Sequence, residues 1–209
     1  WSGKLPASLD EAVYSFLLAN VIRDLRGDKQ QPRTMMVNMS RFTKVQRYIK
    51  TYIEQLYKFI FDTVNIDFSN NDAKNKKLQI YQKFAQVWER HYSHLGIPVE
   101  KVLQKNVLLE SIGKIKVVVV NSSKDSDKLD YKGSTRIIAI GGLALSRGLT
   151  LKGLMTSYFY RNTATYDVLL QMGRWFGYRN GYDDLCQIWA ARDSVEYYKE
   201  ISIATEELK

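Results

Sequence analysis

Apolar residues in this chain recur at two periods, and the alternation between them lays out the elements. Val13, Phe16, Leu17, Val21 and Leu25 follow helical spacing, and Arg26-Gly27 supplies a stop. Ser8 to Glu11 (Ser-Leu-Asp-Glu) has the form of a capping box, which predicts the start of that helix. Gln31-Pro32-Arg33 is a short connector, and Thr34 to Met39 reads as a buried strand ending at Ser40-Arg41. From Phe42 the spacing is helical again: Phe42, Val45, Ile49, Tyr52, Ile53, Leu56, Phe59 and Ile60 share one predicted face. Asp67 to Lys77, rich in Asn, Asp and Lys, is expected to be a loop. Leu78, Tyr81, Phe84, Trp88, Tyr92 and Leu95 form a second helical stripe closed by Gly96. Pro98 suits a helix first turn, and Val99, Val102, Leu103 and Leu109 carry that helix to a stop at Gly113.

The second half changes character. Ile115 to Val120 (Ile-Lys-Val-Val-Val-Val) is a β-branched run, the pattern of a strand covered on both faces. After a polar loop, Asn121 to Lys132, further strands are predicted at Arg136 to Ile140, Met155 to Tyr160 and Leu185 to Ala190. Helices are predicted at Thr163 to Trp175 and Ser194 to Leu208. Strands alternating with helices predict an α/β fold with a parallel sheet flanked by helices. The expected organisation is a single domain over residues 1–209, with a helical insertion at about residues 65–113. Gripping DNA, docking a partner and enlarging the core all stay open as roles for that insertion.

Composition narrows the class. Apolar residues make up 45% of the 209, enough for a substantial core, so wholesale disorder is excluded. With 31 basic against 22 acidic residues the net charge is +9, which favours a polyanionic partner or an acidic surface. One cysteine, Cys186, excludes an internal disulfide framework and fits a reducing compartment, so a cytoplasmic location is expected. Cys186 itself is expected as a small buried residue within a strand. No apolar run reaches transmembrane length, and no membrane partner is expected. The chain opens Trp-Ser-Gly, without methionine, and is expected to be a piece of a longer protein.

Candidate chemistry concentrates between residues 141 and 181. Seven of the twelve glycines fall there, with Arg147, Lys152, Arg161, Arg174 and Arg179 against the single acid Asp167. Glycine permits close backbone approach, and arginine supplies a fork of donors that stays charged. The pairing points to a phosphate-handling surface. Ser40, Arg41, Asn121 and Ser122 stand at the predicted C-terminal ends of strands, where parallel sheets place ligands. His91 and His94, three apart, have no Cys or further His near enough to predict a zinc site. No phosphate loop, Asp-Glu box or nuclease carboxylate cluster is present in the sequence, so the chain alone is not expected to hydrolyse ATP.

Ser146-Arg147-Gly148-Leu149-Thr150 resembles motif V of superfamily 2 helicases, with Thr150 in place of the usual Asp. Gln171-Met-Gly173-Arg174-Trp-Phe-Gly177-Tyr-Arg179 resembles motif VI one strand later. Here Arg174 comes three residues after Gln171, and the two arginines are five apart. The fuller text, from Gly141-Gly142 through Gly153-Leu154 and on to Arg179, resembles the Z-one domain family. That family comprises bacterial and phage helicase-like proteins associated with restriction and DNA-modification systems.

The resemblance implies a RecA-like (P-loop NTPase-like) fold, the second such domain of an ATP-driven DNA helicase or translocase. It implies an ATP·Mg²⁺ site shared with a first RecA-like domain, which brings most of the binding residues. Arg174 and Arg179 are then the catalytic arginine-finger candidates, with Gln171, Arg147 and Gly148 as nucleotide contacts. Ser40, Arg41, Asn121, Ser122 and Gly142 become contacts to the DNA backbone. Expected partners are DNA, the first RecA-like domain, and nuclease or methylase subunits. The alternative is a DNA-binding or protein-docking module that kept the fold without the motor.

Overall fold

The computed structural model describes residues 5–120, 134–142, 151–160 and 181–190. Five strands form one sheet: β1 (Arg33–Asn38), β2 (Ile115–Val120), β3 (Arg136–Gly141), β4 (Leu154–Phe159) and β5 (Gln187–Ala190). Their order is β2-β3-β1-β4-β5 and every neighbouring pair is parallel. With helices packed against it, the sheet makes this an α/β fold. All the C-terminal strand ends therefore lie along one edge, the edge on which Ser40 and Gly142 follow β1 and β3.

Helix α1 (Ala7–Leu25) is buried on every side from Ala12 to Asp24, because it lies between the sheet and further helices. It packs on β4 with one side and on α4 (Gln79–His91) and α6 (Lys105–Ile112) with the other. Burying a side chain such as Phe16 or Leu17 is worth about 1.5–3 kcal/mol, and this helix does so repeatedly. Helix α2 (Thr43–Asp67) covers β2 and β3, turning Ile49, Ile53, Ile60 and Val64 inward. The short helices α3 (Asp72–Asn75) and α5 (Val99–Val102) complete the excursion. Phe84, Trp88, Tyr92, Leu108 and Ile112 from this excursion join the main core with Phe16, Met35 and Ile138. A smaller apolar cluster of Met36, Ile137, Ala139, Leu154 and Phe159 is gathered separately.

Several local expectations are corrected. Ser8 is not a cap: α1 starts at Ala7 after Pro6, and the Ser8 hydroxyl pairs with the Tyr158 hydroxyl at 2.8 Å. Glu11 pairs instead with Arg90 and with His91, whose Nε2 is 3.1 Å away. Phe42 and Phe59 leave the predicted buried face and are exposed, because the inward stripe runs through Gln46, Ile49, Ile53 and Ile60. The loop at 67–77 contains α3, whose start is capped by the Asn71 side chain. The single helix expected from Pro98 to Gly113 breaks at Leu103-Gln104, where Gln104 is extended and Leu103 and Leu108 are both buried. Strand β2 is an edge strand, so Lys116 projects to solvent rather than being covered. Cys186 precedes β5 and is half-buried rather than lying within the strand.

At the N-terminal edge of the sheet the first residues of β1 and β3 are paired arginines, Arg33 and Arg136, in register and fully buried. Asp24, near the end of α1, sits between them. Arg33 donates to Asp24 Oδ1 at 2.6 Å, and Arg136 Nη2 donates to Oδ1 and Oδ2 at 2.8 and 2.9 Å. The Ser111 hydroxyl adds a third partner at 2.5 Å. Burial alone would raise the Asp24 carboxyl, but the Ser111 bond and the two guanidiniums outweigh it and hold it below the usual carboxylate range. Burial and the neighbouring Arg136 pull Arg33 down to about 10, because guanidiniums outnumber carboxylates here. Arg23 joins through Asp28 at 2.7 Å and lies 4.0 Å from the centre of the Tyr182 ring. This network ties α1 and α6 to the sheet.

Candidate nucleic-acid interface

The C-terminal edge is built differently. Strand β1 ends at Asn38, and the chain then turns through Met39, Ser40 and Arg41 into α2. Ser40 Oγ accepts the Phe42 N–H at 3.1 Å, a short loop that shapes this turn. Accepting that bond leaves the hydroxyl its own proton to donate, from a residue that is itself buried in the turn. The buried Gln46 side chain donates to the Ser40 carbonyl at 2.9 Å and locks the turn to the first turns of α2.

Gly142 meets that turn from the neighbouring strand. A Cβ at this position would lie 3.2 Å from the Ser40 carbonyl oxygen, 3.3 Å from Arg41 Cα and 3.3 Å from Gln46 Nε2. Glycine here eases the close packing of the two strand exits and serves no unusual φ. The structure thus brings together three of the expected backbone-contacting residues, Ser40, Arg41 and Gly142. The remaining site candidates lie outside the described residues: Asn121, Ser122, Arg147, Gly148, Gln171, Arg174 and Arg179.

Around this contact the surface is cationic. Arg41, Lys44 and Arg47 are exposed on the turn and the start of α2. No side chain caps α2 and no acid stands in its first turn, so the helix dipole presents its positive end at the same edge. Between Asp28 and Glu54 the sequence has no acid and six basic residues: Lys29, Arg33, Arg41, Lys44, Arg47 and Lys50. That gap in acids is the signal that would have found Lys44 and Arg47, which motif matching passes over. An exposed cationic patch at a helix start can hold phosphate oxygens through side chains and backbone N–H groups together.

His91 is taken up by Glu11 and by the Trp189 ring, 5.0 Å away. Among the described residues, no three His, Cys, Asp or Glu side chains gather to hold a metal. No helix among them is long and apolar enough to cross a membrane.

The Z1 domain family model matches residues 8–209, nearly the whole chain. No curated protein and no solved structure matches significantly. The chain belongs to the Z1 domain family.

Proposed function

We propose that this Z1 domain chain is the second RecA-like domain of an ATP-driven superfamily 2 motor that moves on DNA, in a restriction or DNA-modification system. The observation that carries the reading is the contact of the Ser40-Arg41 turn with Gly142 at the C-terminal edge of a parallel sheet. Ligands bind at that edge in open α/β sheets, and here it is cationic. Ser40, Arg41 and Gly142 hold the phosphate backbone of the track, joined by Asn121 and Ser122. Contact through phosphates gives affinity with little sequence preference, as a motor that travels along its track requires.

The chemical half of the proposal rests on the motif residues. Phosphoryl transfer accumulates charge on the equatorial oxygens of the transferred group, and an arginine delivered across a cleft stabilises it on closure. Arg174 and Arg179 have that role, with Gln171, Arg147 and Gly148 contacting the nucleotide. Mg²⁺ supplies charge neutralisation at the phosphates and is held by the first RecA-like domain, together with most of the ATP contacts.

ATPase turnover of the intact protein carrying this chain, with and without DNA, tests the motor. DNA-stimulated turnover should fall about 10³-fold or more in Arg174→Ala or Arg179→Ala, while DNA affinity holds. Turnover indifferent to both substitutions would sink the finger assignment and leave a DNA-binding or protein-docking module.

A further inference from the structure

Two aromatic rings stand in solvent on the edge that carries Ser40, Arg41 and Gly142. Phe42, at the start of α2, is 59% exposed, and Tyr160, directly after β4, is 50% exposed. They belong to neighbouring strand exits: the Tyr160 N–H donates to the carbonyl of Asn38, the last residue of β1, at 3.2 Å. The Arg41 guanidinium lies 5.0 Å from the centre of the Phe42 ring. Tyr48, in the second turn of α2 and next to Arg47 in sequence, is a third exposed ring.

Phe42 occupies a position where the helical stripe predicts burial, yet the fold turns it outward. An exposed Phe forgoes the burial that stabilises its neighbours, so a patch of such rings marks a contact surface. Its surroundings define the partner. Phe42 and Tyr48 are interleaved in sequence with Arg41, Lys44 and Arg47, in a stretch free of acids from 29 to 53, and Tyr160 reaches the same edge from the exit of β4. Cations alone match phosphates, and rings alone match any apolar surface. The two together match a polyanion that also presents flat apolar faces, which is an unpaired nucleic-acid strand. In a duplex those faces are stacked and out of reach.

We infer that Phe42 and Tyr160 form a base-stacking platform for single-stranded DNA, with Arg41 and Lys44 holding its phosphates. DNA as the polymer rests on the motor reading above; the preference for an unpaired strand rests on the exposed rings. The edge thus grips bases as well as backbone, and stacking remains tolerant of sequence because every base has a π-face.

The test is fluorescence anisotropy on the intact protein with labelled oligothymidine, an abasic oligomer of equal length, oligouridine and a duplex. Phe42→Ala and Tyr160→Ala should each weaken oligothymidine binding roughly 5- to 100-fold and leave the abasic oligomer unchanged. Phe42→Trp should keep the affinity, which separates loss of the ring from damage to the fold. Equal losses on the abasic oligomer, or no loss at all, would overturn the platform. Tighter binding of the duplex or of oligouridine than of oligothymidine would overturn the assignment to single-stranded DNA. Ring-dependent binding without DNA-stimulated ATPase would leave the platform standing and remove the motor; stimulated ATPase with ring-independent binding would do the reverse.

Discussion

The two ends of the sheet both rely on arginine and use it in opposite ways. At the N-terminal edge Arg33 and Arg136 are sealed from water, and their guanidiniums converge on Asp24. At the C-terminal edge Arg41 stands in solvent beside an exposed ring, at a turn held by Gln46 and packed on Gly142. Shifted ionisation and buried charge usually draw attention to active sites. Here they belong to the end that fastens helices to strands. The end proposed to meet a ligand is marked instead by exposed cations and rings and by close backbone approach. Among the described residues, buried and shifted charge at Asp24 and Arg33 therefore reports structure, while the proposed binding edge rests on exposed charge.

Substitutions that break one end should leave the other intact. The largest effect is expected from Asp24→Asn, which leaves Arg33 and Arg136 buried without their carboxylate. Denaturant unfolding should show a loss of about 3–5 kcal/mol. A loss below about 1 kcal/mol would mean that the network contributes little, and that packing alone holds α1 and α6 in place.

A pair of glycines gives the next contrast. Gly153 has φ +65°, and a Cβ there would lie 1.7 Å from the Pro32 carbonyl oxygen, beside the start of β1. Gly153→Ala should cost about 1–3 kcal/mol in unfolding, since the obstruction is backbone that cannot swing aside. Gly142→Ala meets its neighbours at 3.2–3.3 Å and needs only a slight adjustment. It should change stability by less than about 1 kcal/mol but weaken DNA binding by pushing the Ser40-Arg41 turn outward. Equal stability losses for the two would erase the distinction between the ends.

The smallest effect is one of pH. The Asp24 carboxyl is held below its ordinary value of about 4, so its contribution is complete above that value. It is lost as pH falls from about 4 through the lowered folded value. The stability gap between the parent and Asp24→Asn should therefore be constant near neutrality and narrow in that acid range. A gap that persists unchanged to about pH 2 would mean that Asp24 titrates alike in the folded and unfolded chains, so that its ionisation is not the source of the difference.

Much of this architecture is legible in the residues. The β-branched run at 115–120, the short strand read at 34–39 and found at Arg33–Asn38, and the stripe at 78–92 each announce an element, because local period decides between helix and strand. Ser40, Arg41 and Gly142 can be placed at strand exits for the same reason. Local pattern does not say which apolar residue finds a neighbour. Phe42 and Phe59 fit the helical stripe as well as Ile49 does, but the partner elements reach only part of that face. Nor does it say that Ser8, in a good capping sequence, meets Tyr158 from a strand 150 residues away.

The sequence by itself determined the alternation of elements, the parallel sheet that follows from it, and the cationic stretch free of acids at 29–53. Those properties depend on neighbours in the chain. Only the tertiary structure decided the strand order, the burial of Asp24 between two arginines from different strands, and the meeting of Gly142 with the Ser40-Arg41 turn. Each of these joins residues about 9 to 112 positions apart, as the Arg33–Asp24 and Arg136–Asp24 contacts show. The physical reason is that burial and charge pairing are settled by which surfaces the packed layers leave for one another, and no local period encodes that.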